Sequence, residues 1–167
     1  MPDPSPDEIA TVWRIHNEIN LYLVATISDA GLAAVPLLKS GQPSTGRTVA
    51  RQFAHLHEVR ASHLTREWLH GVPRFATGVT PTRAELKAAF HASGEAVSKR
   101  LVRAVESGEK IRNRSPWILL GYLISHESHH RGQILLALKQ SGTRLPDEDR
   151  FAIWEHWGKP VLTQPRG

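Results

Sequence analysis

Apolar residues recur at helical spacing in four long segments of the chain, separated by glycines and prolines. The first segment opens with Ser5-Pro6-Asp7-Glu8, which combines an N-cap serine, a first-turn proline and the glutamate of a capping box. The pattern predicts a helix from here to about Ala30, ended by Gly31 in the left-handed conformation. Its inward positions are mostly apolar, with two polar members: Ile9, Trp13, His16, Asn20, Leu23 and Ile27.

Prolines and glycines interrupt the stretch from Leu32 to Gly46, which predicts a long loop. Long ordered loops often cover binding sites. A second helix is predicted from about Thr48 to Leu69. Thr80-Pro81 then gives the start signal of a third helix, which runs to about Ser107-Gly108.

Ser115-Pro116 opens a fourth helical pattern that closes at Gly142. A short fifth helix follows Asp147 and stops at Gly158. The inward stripe of the fourth helix comprises Leu119, Leu120, Leu123, Ile134, Ala137 and Leu138. Since no segment alternates in the manner of a strand, the sequence predicts an all-α fold. We expect a four-helix bundle with an additional short C-terminal helix, forming a single domain over residues 1–167.

Two histidines of the fourth helix are the strongest candidates for chemistry. His126 and His130 stand four positions apart, so their side chains project from one face of the helix. At 100° per residue both lie within or at the edge of the inward stripe, whereas His129 falls well outside it. Two imidazoles side by side on a core face are costly to bury without a shared partner. The pair therefore predicts a shared metal ion.

The spacing of the other histidines leaves the third ligand open. His16 lies on the inward face of the first helix. On the second helix His63 falls on the apolar stripe, and His55 and His57 lie on its two flanks.

The composition narrows the chemistry further. The chain has no cysteine, which excludes disulfides, thiolate ligands and a cysteine nucleophile, so any thiol must come from outside. The net charge of +5 comes from scattered basic residues without a nucleic-acid-binding motif, and we expect no nucleic-acid partner. No apolar stretch of the sequence reaches membrane-spanning length, and we expect no secretory leader. We expect a cytoplasmic protein without membrane association.

The residues from His126 to His130 also match the H-E-x-x-H motif of zincin proteases, in which the glutamate is the general base. The metzincin extension does not follow, and no strand is predicted that would hold a peptide. Glu127 is a tentative catalytic residue, as a base or as a group that orients a ligand; alternatively, it is the buried partner of an arginine. Arg131 is predicted to point away from the stripe centre, and Gly132 to allow close approach of another helix.

The sequence resembles the DinB/YfiT-like family of metalloenzymes. The resemblance is carried by His126 and His130 with the following Arg131-Gly132-Gln133, and by the segment from Thr48 to Leu56. The stretch from Leu145 to Trp157 is also similar. The resemblance implies a bundle that binds one divalent metal through His55, His126 and His130, and it selects His55 from the alternatives that spacing left open.

The resemblance also implies an activity, since members of the family and its relatives include transferases and isomerases that use low-molecular-weight thiols. We therefore expect a metal-dependent transferase that acts on a small molecule with an external thiol. Zinc, nickel and iron(II) all accept three imidazoles. The alternatives are a non-catalytic, stress-associated metal-binding protein and, more remotely, a zincin-type hydrolase. A homodimer formed through an apolar helix face is a further expectation.

Overall fold

The secondary structure is helical in the computed structural model, which describes residues 5–158, and this range contains no strand. The α-helices are α1 (Pro6–Thr26), α2 (Asp29–Ala33), α3 (Val49–Ser62), α4 (Arg83–Ser107), α5 (Pro116–Gln140) and α6 (Asp147–Gly158). A 3₁₀ turn spans Arg66–Leu69. The all-α prediction is confirmed.

Local capping signals explain most helix ends. The Ser5 hydroxyl accepts a hydrogen bond from the Glu8 amide, and the Glu8 carboxylate accepts one from the Ser5 amide at 2.6 Å, which completes the predicted capping box. Ser115 caps α5 as predicted. The predicted start of α4 at Thr80-Pro81 was two residues early, because Thr82 and Glu85 form a second capping box.

The predicted end of the first helix was wrong. α1 ends at Thr26, and Ser28 caps the short helix α2 by accepting a hydrogen bond from the Gly31 amide at 3.1 Å. Gly31 is therefore helical rather than a left-handed stop. A β-carbon at this position would meet the side chains of Ile27 and Leu138, so close packing accounts for this glycine.

The second long helix was also predicted too long. α3 ends at Ser62, and the residues up to Leu69 form a bend and the 3₁₀ turn instead of continuing the helix. Leu64 is buried there, in the same apolar cluster that Trp68 and Leu69 contact. Packing of this segment takes precedence over local helix propensity.

The four long helices form a ring in which α1 and α3 each pack against both α4 and α5. α6 packs on α1, where the Tyr22 hydroxyl donates a hydrogen bond of 2.6 Å to Asp149. Apolar side chains form two clusters toward opposite ends of the bundle. On α1 and α5, buried polar residues occupy the positions between these clusters: His16, Asn20, Glu127 and Arg131. A layer of buried polar side chains thus lies at the middle of the bundle.

No helix within residues 5–158 is both long enough and apolar enough to span a lipid bilayer.

Candidate metal centre

Three histidines from two helices meet at one point of the bundle. His55 of α3 and His126 and His130 of α5 each offer a ring nitrogen, and these three atoms all lie within 4.8 Å of one another. The ring centroids are 5.4 Å apart for His55 and His126, 4.9 Å for His55 and His130, and 4.7 Å for His126 and His130. This histidine triad has a size that a single metal ion can span.

The helices explain how these side chains converge. His126 and His130 are one turn apart on α5, so their rings project side by side, at the edge of the buried stripe. His55 reaches them from α3, which packs directly against α5. All three side chains are partly exposed, which leaves one side of the triad open to solvent.

The surroundings keep all three imidazoles in the neutral form. Burial lowers the pKa of His130 to about 4, and the nearby His126 and His55 add to the shift. Burial likewise lowers the pKa of His55, with a further contribution from the positive charge of Arg47. The pKa of His126 is lowered mainly by burial as well. Neutral imidazoles are the form that binds metal ions, so no proton has to be displaced at neutral pH.

The other candidate histidines lie elsewhere. His16 is buried and contacts Glu127 at 2.9 Å rather than the triad. His57, on one flank of the apolar stripe of its helix, is completely buried and donates a hydrogen bond of 2.7 Å to the Pro73 carbonyl. His129 is exposed, as its helical angle predicted. His63 is partly buried and contacts Tyr122.

Tyr122 is the immediate neighbour of the triad on α5, one turn before His126. The two rings are stacked at 5.7 Å with an angle of 20° between their planes. The edge of His63 meets the same tyrosine at 5.3 Å. The stacking of Tyr122 on His126 limits the rotation of the His126 ring. This stacking was foreseeable, because Tyr122 stands four positions before a candidate ligand on the same helix.

Glu127 points away from solvent into the bundle. Its carboxylate is fully buried and accepts hydrogen bonds from Arg60 Nε and Nη2, both at 2.7 Å, from His16 Nε2 at 2.9 Å and from Asn20 Nδ2 at 2.7 Å. Burial alone would raise the pKa of this carboxyl, but the charge and hydrogen bonds of Arg60 hold it far below its usual range. Of the two interpretations of Glu127, a catalytic or ligand-orienting residue and the buried partner of an arginine, the structure favours the second.

Two smaller expectations on α5 were wrong. Arg131 is buried, not directed away from the core, and it donates hydrogen bonds to Asn20 at 3.3 Å and Ser128 at 2.6 Å. Gly132 is exposed, and a β-carbon there would meet nothing within 4 Å. Close approach of another described helix therefore does not explain this glycine.

Sequence reasoning missed Arg60, the central residue of the buried polar network. Its guanidinium lies between the rings of Trp13 and Phe90, 4.7 Å and 4.5 Å from their centroids. A signal was present, because Arg60 continues the apolar stripe of α3 from Phe53 and Leu56 at helical spacing.

The model of the DinB family matches residues 1–160, which is nearly the whole chain. No curated protein matches the chain, and no solved structure matches it.

Proposed function

The chain belongs to the DinB family, and on that premise we propose that it is a divalent-metal-dependent transferase acting on a small molecule with a low-molecular-weight thiol. The observation that carries the proposal is the histidine triad, whose three ring nitrogens lie within 4.8 Å of one another. The residues proposed to hold the ion are His55, His126 and His130.

The triad fits a metal ion in its chemistry as well as its size. The Nδ1 atoms of His126 and His130 are shielded from solvent and have no hydrogen-bond partner in the described part of the chain. A ring nitrogen of this kind would gain a partner by binding a metal ion. Zinc, nickel and iron(II) all accept such a ligand set.

The number and type of ligands favour catalysis over a purely structural role. Three neutral imidazoles do not offset the charge of a divalent ion, and they leave at least one coordination position free. An ion held there would supply a Lewis-acid centre that favours the deprotonated form of an external thiol at neutral pH. The chain itself has no cysteine, so the thiol is proposed as a cosubstrate.

The environment of Glu127 argues against the zincin alternative. A zincin glutamate must exchange a proton with the reacting water. Here Arg60 forms two hydrogen bonds with the Glu127 carboxylate, and no part of the carboxylate is exposed. We propose a structural role for Glu127, which positions α5 relative to α3.

The test uses the protein loaded with cobalt(II), whose visible spectrum reports its ligands. We expect a panel of small thiols to change the spectrum, and the loaded protein to consume a small electrophile only when a thiol is present. His130→Ala should abolish both effects, whereas the matched variant His129→Ala, at an exposed neighbouring position, should preserve them. Bound cobalt with neither a spectral response nor turnover would favour the non-catalytic metal-binding alternative, and casein cleavage lost in Glu127→Gln would favour the zincin.

A further inference from the structure

The histidine triad continues on one side into a row of contacting side chains. Tyr122 stacks on His126 at 5.7 Å, and the guanidinium of Arg114 lies over the Tyr122 ring at 5.1 Å from its centroid. His63 meets the edge of the same tyrosine. Arg114 and the ligand candidate His126 thus contact the same tyrosine ring, and both Arg114 and Tyr122 are exposed.

A tight turn just before α5 positions this arginine. Ile111 and Arg114 exchange two backbone hydrogen bonds of 2.9 Å and 3.1 Å, and Arg112 and Asn113 between them both have positive φ, 49° and 64°. Arginine rarely adopts this conformation, so the surrounding structure must impose it. The buried Ile111 side chain, only 3% exposed, anchors the turn to the core.

No carboxylate among the described residues forms an ion pair with the arginines of this turn. Neither Arg112 nor Arg114 has a carboxylate within 4.0 Å among residues 5–158, whereas Arg83 and Arg100 each form an ion pair at 2.6 Å. Both arginines affect the charge state of a neighbouring histidine. Burial lowers the pKa of His63, and the positive charges of Arg114 and Arg112 lower it further.

We infer that the turn carrying Arg112 and Arg114 is an anion-binding site at the rim of the histidine triad, which receives the carboxylate of the small molecule that reaches the triad. The planar guanidinium of Arg114 matches the two oxygens of a carboxylate. This inference rests on the proposed function, which identifies the other end of the ligand as a thiol. It makes the cosubstrate an anionic thiol.

The inference is tested by comparing two thiols that differ in charge. The dissociation constants of 3-mercaptopropionate and of its neutral amide, 3-mercaptopropionamide, are measured from the spectrum of the cobalt-loaded protein at low ionic strength. We expect the anionic thiol to bind roughly five- to tenfold more tightly, which is the effect of two partly solvated ion pairs. This preference should weaken as salt screens the charges.

The diagnostic variant is Arg112→Asn combined with Arg114→Gln. Asparagine tolerates positive φ, so the charge is removed while the turn is kept. The preference should fall to about one in this double variant, because little but the charge has changed. The control Arg144→Gln removes an exposed arginine beyond the opposite end of α5 and should leave the preference intact. Equal affinities of the wild-type protein for the two thiols, or an unchanged preference in the double variant, would overturn the inference.

A thiol-free pair of probes separates this inference from the proposed function. If neither thiol changes the cobalt spectrum, the thiol chemistry fails, but the anion site is still testable with propionate and its neutral amide. In NMR spectra of the zinc-loaded wild-type protein, the ring resonances of Tyr122 and His63 should shift when propionate is added and not when propionamide is added. In the double variant, neither compound should shift them. Absence of that shift would overturn the anion site.

Discussion

Arg60 and Glu127 form a buried ion pair with two hydrogen bonds of 2.7 Å, and this pair connects the two helices that supply the histidine triad. Arg60 lies on α3 five residues after His55, and Glu127 lies on α5 between His126 and His130. Both side chains are completely buried. The pair therefore fixes α3 against α5 close to the point where the three imidazoles meet.

Breaking this pair is expected to destabilise the protein strongly. Glu127→Ala leaves the Arg60 charge buried without its partner, which costs about 3–5 kcal/mol. Urea unfolding monitored by circular dichroism measures the loss. Arg60→Met should be comparably destabilising, since it leaves the carboxylate unpaired.

The double variant Arg60→Met/Glu127→Leu distinguishes a buried pair from two independent contributions. Because it removes both charges, we expect it to be clearly more stable than the sum of the single losses predicts, with a coupling of roughly 2 kcal/mol or more. Additive losses would show that the two residues do not act as a pair.

The buried imidazole of His16 should make stability depend on pH. Burial lowers its pKa in the folded protein, even though Glu127 alone would raise it. The unfolded chain therefore takes up this proton first, at a pKa of about 6.5, and the stabilising contribution is lost as the pH falls below that value.

His16→Gln isolates this contribution because glutamine does not titrate. Between a pH of about 7.5 and about 5.5, the metal-free wild type should lose roughly 1 kcal/mol more unfolding free energy than the variant. The triad histidines contribute equally to both proteins. Identical pH profiles would mean that His16 keeps its ordinary pKa in the fold.

Removal of single histidines should identify the metal ligands. Purified without an affinity tag and dialysed, the wild type should retain about one divalent ion per chain, because the three side chains are already positioned together. His55→Ala, His126→Ala and His130→Ala should each abolish retention, as measured by elemental analysis.

Two partly or fully exposed histidines close to the triad serve as controls. His129→Ala and His63→Ala should retain the ion, since neither side chain belongs to the group of converging nitrogens. Retention of the ion by His55→Ala would show that the α3 histidine is not a ligand. His126 and His130 of α5 would then need a different third ligand.

Two helical glycines should respond oppositely to alanine. At Gly132 a β-carbon meets nothing within 4 Å, so Gly132→Ala should stabilise the protein by up to about 1 kcal/mol. At Gly94 it would collide with the amide of Asn17, which accepts a 2.6 Å hydrogen bond from Arg60 and cannot easily move away. Gly94→Ala should therefore be destabilising, and thermal melting of the two variants measures both effects. Destabilisation by Gly132→Ala would indicate that α5 has a packing partner outside residues 5–158.

The sequence predicted the elements whose signals are local. Ser5 and Ser115 begin their helices as expected, and Gly108 and Gly142 have the positive φ of helix stops. The end of α3 was missed because no glycine or proline marks Ser62. That end depends on burial of Leu64, a contact between segments that periodicity does not contain.

The candidate site divides in the same way. The convergence of His126 and His130 follows from helix geometry alone, whereas the choice of His55 came from the family resemblance and needed the packing of α3 on α5. Arg131 was placed wrongly because its angle on the helix lies away from the centre of the apolar stripe, and periodicity does not show which polar partners a side chain finds. Here Asn20 and Ser128 accept its hydrogen bonds and allow its burial.

The separation of the triad residues along the chain has a topological consequence. His55 and His126 are about 70 residues apart in sequence, with all of α4 between them. A bond network through one ion would close this segment into a loop, much as a disulfide does in a chain that has cysteines, and restrict the unfolded ensemble. At a free-ion concentration a hundredfold above the dissociation constant, the folded state gains about 2.7 kcal/mol. Chelation should thus lower the free energy of unfolding by about this amount.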